Sequence, residues 1–213
     1  EMVRAILDGK KSCTRRLVKT RRKDACGFYV TRRKADGLFA GIYEYDENES
    51  MFDNQLEPPY QPGDIIYVRE TWHKYIKRVG EGQNCHLAEF YGYKASVANS
   101  EDAGEPWKPS IHMPKEAARI WLKVTDVRVE RLQDITPKDA ENEGVGNLFY
   151  EDIGYGEKNY GTEVDPEYGI VKEQFAWLWE STIKKSDIDR YGWDANPWVW
   201  VIEFERCEKP EVV

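Results

Sequence analysis

Residues 119–133, RIWLKVTDVRVERLQ, form the longest strand-like run in the chain, and their apolar side chains change phase partway along it. Ile120, Leu122 and Val124 share one parity, whereas Val127 and Val129 take the other. Successive side chains of a strand point to opposite faces, so a strand cannot change parity and keep one face in the core without a local irregularity. The slip falls at Thr125 and Asp126, and predicts a β-bulge or a corner where a strand bends around a small barrel. Two further runs read as strands. In DIIYVRE (64–70), Ile66, Val68 and Glu70 share one face while Ile65, Tyr67 and Arg69 share the other; in NPWVWVIEFER (196–206), Trp198, Trp200, Ile202 and Phe204 alternate with Val199, Val201, Glu203 and Glu205. SCTRRLV (12–18) and AEFYGYKA (88–95) add shorter ones. Several strands with few helices predict a mixed α+β chain, mainly β: a compact barrel flanked by short helices.

The helices carry their own signals. MVRAILD (2–8) is closed by Gly9. Thr136, Pro137 and Asp139 form an N-cap, a first-turn proline and a capping-box partner, with Gly144 as terminator. Residues 171–183 place Val171, Phe175, Leu178 and Trp179 on one side of an amphipathic helix. Residues 20–57 are polar and turn-rich and read as an insertion containing a hairpin. Residues 77–105 and 145–170 read as two more long insertions, with loops at 77–87 and 99–110.

At 213 residues the chain is long enough for one domain with a sizeable core, and eight Trp with thirteen Tyr make that core aromatic. No segment approaches the ~20 apolar residues of a membrane span, and no apolar stretch follows a basic start as in a leader peptide. Cys13, Cys26, Cys85 and Cys207 are far apart, without a Cys-x-x-Cys pair, which argues against a zinc site or a disulfide framework and for a reducing cytoplasm. No Gly-rich phosphate loop, His-rich metal spacing or Gly-x-Ser-x-Gly elbow is present.

Charge is unevenly distributed. Residues 1–34 hold twelve Lys and Arg against three acids, a surplus of nine, which leaves −17 for the remainder of a chain whose total is −8. Such asymmetry is either the footprint of a polyanionic partner or basic surface paired with acidic surface of the same molecule.

Within that segment GKKSCTRR (9–16) sets Lys11 and Thr14 at a helix-to-strand corner. A threonine hydroxyl is a usable nucleophile where a neighbouring base removes its proton, and a desolvated lysine can serve. Glu70, in phase with Ile66 and Val68, points its carboxylate inward, where it either pairs with a cation or takes part in proton transfer. The plain alternative is a structural Lys11–Glu70 or Arg16–Glu70 ion pair. Trp72 and His73 follow directly and either stack a base beside a basic cleft or, for Trp72, cap the core. WKPSIHMPKEAAR (107–119) contributes His112 and Arg119; a lone His112 is more often a satisfied structural histidine than a catalyst.

These stretches together resemble the ASCH family of PUA-like β-barrels. ILDGKKSCTRR is similar to the family's Gly-x-Lys-x-x-(Glu/Thr)-x-Arg signature, PGDIIYVRETW to its second motif, and WKPSIHMPKEAARIWLKVTDVRVERLQDIT, DAENEG, FAWLWEST and WDANPWVWVIEF to its phage-encoded branch. The resemblance covers most of the chain outside residues 20–57, 77–105 and 145–170. It implies a PUA-like barrel with a cleft, lined by the first motif, that binds RNA or a modified nucleotide. One bacterial subgroup hydrolyses N4-acetylcytidine with a Lys, a Thr and a Glu. Carried over, these are Lys11, Thr14 and Glu70, with Arg16 as the motif arginine and Arg15, Trp72, His73, His112 and Arg119 as further ligand-binding candidates. The resemblance implies no metal or cofactor, and no membrane partner. A non-catalytic nucleotide-binding module and a phage-encoded interaction protein are the competing readings.

Overall fold

The phase slip becomes a bulge. In the computed structural model, which describes residues 2–35, 37, 39–96, 106–145 and 166–210, strand β8 (Trp121–Arg131) pairs with β9 (Trp198–Cys207), and the register shifts between Val124 and Asp126. β8 and β9 are the centre of a curled, half-barrel sheet of four antiparallel strands ordered β1 (Cys13–Leu17), β9, β8, β5 (Ile65–Tyr67).

β9 is buried on both faces, which explains its almost continuous apolar run. Val199 and Val201 face a cluster with Phe175, Ala176 and Trp179 from helix α3 (Pro166–Thr182), plus Ala140 from α2 (Pro137–Asn142). Trp200 and Ile202 face the other way, into a cluster with Val18, Val124, Val129, Ile42 and Leu56 inside the curl. The bulge lets β8 supply Val124 and Val129 to that same interior cluster despite their opposite parity.

The helix signals read from the sequence appear, but α3 begins at Pro166, so residues 166–170 are helical and not part of the expected loop insertion. Helix α1 covers Met2–Leu7, and Gly9 follows at φ +71°. Thr136 caps α2 in a capping box with Asp139, and Gly144 ends that turn at φ +84°. A short α4 (Ile188–Tyr191) precedes the last strand. No helix among the described residues is long and apolar enough to cross a membrane.

The insertions are more ordered than their composition suggested. Residues 20–57 hold an antiparallel three-stranded sheet, β2 (Gly27–Arg32), β3 (Phe39–Tyr45) and β4 (Met51–Gln55), rather than a single hairpin. The buried Glu44 anchors its entry, accepting backbone N–H bonds from Arg21 at 2.6 Å and Arg22 at 3.3 Å. The expected loop at 77–87 is instead largely ribbon. β6 (Trp72–Val79) pairs in full with β7 (His86–Tyr93), leaving a turn built on Gly80 and Gly82. Lys74, Lys77 and Arg78 hid this strand because a two-stranded ribbon exposes much of both faces, so no apolar alternation is required. Of the expected insertion at 145–170, residues 146–165 lie outside the described residues, as does much of the 99–110 loop.

Candidate functional site

The two edge strands of the curled sheet, β1 and β5, both line one cleft of about 490 Å³, with α1 and α3 as its other walls. Its apolar sides come from Val3 and Ile6 on α1, Ile66 and Val68 at β5, and Leu178 and Trp179 on α3. Its polar corner is Lys11, Thr14, Arg15, Arg16 and Glu143.

Local backbone geometry makes that corner. After α1, Lys10 and Lys11 both donate their N–H to the Ala5 carbonyl, at 2.8 and 3.0 Å, and the chain turns sharply into β1. Lys11 then forms an isolated antiparallel bridge with Glu143 at the end of α2, while Ser12 N–H bonds the Asn142 carbonyl at 2.8 Å. Gly144 permits this approach. A Cβ there would lie 3.0 Å from the Ala5 Cβ and 3.3 Å from the Lys11 Cβ, on a backbone already at positive φ.

The outcome is a buried charge cluster. Lys11 Nζ donates to Glu143 Oε2 at 2.6 Å and to the Glu143 carbonyl at 2.8 Å. The other carboxylate oxygen, Oε1, is 3.4 Å from Arg15 Nη1. The Arg15 side chain is only 1% exposed; it also reaches Glu130 at 3.4 Å and Asp139 at 3.7 Å, and lies 5.8 Å from the Phe175 ring centroid. Among the described residues its Nε has no partner. Cys13 sits on the same strand face. Burial, and then the charge of Glu143, push its thiol up to about 12 although Arg15 and Lys11 act in the opposite sense.

Thr14 and Arg16 take the other parity of β1, opposite Ile202 and Trp200. Thr14 is half-buried in the cleft, and its hydroxyl makes no hydrogen bond among the described residues. Arg16 is exposed at the rim, with Nη1 3.4 Å from the Arg15 carbonyl.

Glu70 requires a correction. It is buried, 3% exposed, but its partner is neither Lys11 nor Arg16. Arg119 clamps it, Nε to Oε1 and Nη2 to Oε2, each at 2.8 Å, and the same guanidinium lies 4.1 Å from the centroid of Tyr93. The expectation failed because β5 ends at Tyr67, so the strand alternation that set Glu70 in phase with Ile66 and Val68 stops short of it. Lys11's carboxylate is Glu143, which the sequence reading left without a role. Its signal was modest: the last residue of DAENE before a helix-ending glycine, 132 positions from its partner.

The remaining candidates also lie away from the cleft's lining. Trp72 is in a core cluster with Met113, Ala117, Ala118 and Trp121, and its Nε1 has no partner among the described residues. His73 is buried over Gly92, between the rings of Trp107 at 4.6 Å and Tyr75 at 5.4 Å. His112 is exposed on a single turn of 3-10 helix, Ser110–His112. The structure therefore brings together Lys11, Thr14, Arg15 and Arg16, and adds Glu143. It sets Glu70, Trp72, His73, His112 and Arg119 elsewhere.

No family model matches the chain, and neither a curated protein nor a solved structure does.

Proposed function

We propose that the cleft between β1 and β5 receives a nucleoside-type ligand, as the ASCH resemblance implies, and that its polar corner hydrolyses an amide carried on that ligand, with an N4-acylated cytosine nucleoside as the substrate class. The observation that carries this reading is the 2.6 Å Lys11–Glu143 contact in the same cleft as the uncommitted Thr14 hydroxyl. For the base step the Lys11 ammonium passes a proton to Glu143 Oε2, 2.6 Å away, and the amine so formed takes the Thr14 proton as Oγ1 attacks the acyl carbonyl carbon. The C–N bond then breaks, the leaving amine takes the proton back from Lys11, and water hydrolyses the threonyl ester to the free acid. In this scheme Glu143, not Glu70, holds the carboxylate role. The cleft's volume and its mainly apolar walls with a few convergent polar groups suit a small organic ligand.

Incubation of the protein with N4-acetylcytidine, followed by chromatography for cytidine, tests the reading. Turnover lost in Thr14→Val and in Glu143→Gln but kept in Glu70→Gln is the expected result. Absence of turnover in the parent protein, or full turnover in Thr14→Val, overturns it.

One observation favours a second reading, a non-catalytic nucleotide-binding module: Lys11 already donates to both the carboxylate and the carbonyl of Glu143. In that case cytidine binding measured by calorimetry persists with no product, and Thr14→Val changes it by no more than about one hydrogen bond, ~0.5–1.5 kcal/mol.

A further inference from the structure

Residues 106–121 hold three cations, each over an aromatic face. Lys108 Nζ is 5.0 Å from the Trp72 ring, Lys115 Nζ is 5.6 Å from Trp121, and the Arg119 guanidinium is 4.1 Å from Tyr93. All three rings belong to one cluster. Across this segment the single acid is Glu116, in a chain that elsewhere has acids in excess. Arg119 is committed to the buried Glu70, but Lys108 and Lys115 are exposed and have no carboxylate partner among the described residues. A ring beneath an ammonium holds it in place without neutralising it, so these lysines keep their charge for a partner.

The cationic face borders the cleft at two points. Tyr67, a cleft residue, packs on Trp121 with ring centroids 5.7 Å apart. Arg69, also in the cleft, donates to the Ile111 carbonyl at 3.3 Å, in the turn between Lys108 and Lys115. Positive charge therefore continues from the cleft's edge across the 108–119 face.

We propose that this face is a track for the phosphodiester backbone of a single-stranded polynucleotide, whose phosphates meet Lys115 and Lys108 while one nucleoside enters the cleft. The occupant of the cleft rests on the nucleoside reading above; the track rests on the cation row. A base must leave its neighbours to enter a cleft, and a single strand gives it up at least cost. The preferred ligand is thus an oligonucleotide rather than a free nucleoside.

The test is fluorescence anisotropy with a short labelled oligocytidylate over a salt series, comparing the parent with Lys108→Gln/Lys115→Gln, alongside calorimetry with cytidine. The parent is expected to bind the oligonucleotide with steep salt dependence. The variant's slope of log K against log salt becomes shallower by about 1.4, since each phosphate contact on a single strand contributes ~0.7. Its cytidine affinity and its melting temperature stay at the parent's values. Failure of the parent to bind the oligonucleotide at low salt, or an unchanged slope in the variant, overturns the track. Competition by polyglutamate or anionic vesicles as strong as by unlabelled oligonucleotide overturns the assignment to nucleic acid. Oligonucleotide binding that depends on both lysines in a protein that binds no cytidine supports the track and removes the cleft reading instead.

Discussion

Replacing Glu143 by Gln should test the centre of the molecule most directly. The Lys11 and Glu143 side chains are 8% and 5% exposed and that of Arg15 is 1% exposed, so the substitution removes the shared anion from between two buried cations. Losing one partner of a buried ion pair costs about 3–5 kcal/mol, because the remaining charge has neither water nor a counter-ion. The lower end applies here. Arg15 keeps Glu130 and Asp139, at 3.4 and 3.7 Å, and Lys11 keeps the Glu143 backbone carbonyl at 2.8 Å. About 3 kcal/mol corresponds to a Tm lower by ~6–12 °C for a chain of this length. Urea unfolding followed by tryptophan fluorescence should show a lower midpoint at unchanged slope. Combining it with Lys11→Met should recover part of the loss, because the double variant no longer leaves that ammonium without its carboxylate. A Glu143→Gln midpoint within ~0.5 kcal/mol of the parent, or a double variant whose loss equals the sum of the singles, refutes the reasoning.

Cys13 supplies a pH signature. Its folded-state thiol is raised to about 12, so above the ordinary thiol range the unfolded chain releases a proton that the folded one retains, and stability falls as pH rises from about 9 toward 12. Melting temperatures over that range should decline less in Cys13→Ala, and an equal decline contradicts the burial argument. Iodoacetamide with mass spectrometry should label the exposed Cys26 and Cys85 in the folded protein, and Cys13 only in denaturant. Thr136→Ala removes the hydroxyl that accepts the Asp139 N–H, leaves the Thr136 N–H on the Asp139 carboxylate, and should cost about 1 kcal/mol in a denaturation midpoint; an unchanged midpoint contradicts the cap. Arg119→Met strands the buried Glu70 and should destabilise by ~3 kcal/mol or more, while Arg119→Met/Glu70→Leu recovers most of it; no recovery would mean that Arg119 acts through Tyr93 alone.

Whatever depends on neighbours in the chain was legible from the residues alone. The parity change at Thr125 and Asp126 became the β8 bulge because side-chain alternation is a local property of a strand. Thr136, Pro137 and Asp139 became a helix start because a capping box spans one turn, and Gly9 and Gly144 ended their helices because few other residues accept a positive φ. The strand at 72–79 was missed because its two-stranded ribbon imposes no burial pattern for the sequence to display. The identity of Lys11's partner could only come from tertiary structure. Glu70 and Glu143 are both acids at the edge of an apolar stretch, and strand phase favoured the wrong one by extending β5 three residues past its end. The deciding contact is a backbone bridge between residues 132 positions apart, made where Gly144 leaves room for the Lys11 stem. Long-range pairing of this kind depends on how the sheet curls and where α2 docks, and no local periodicity encodes it.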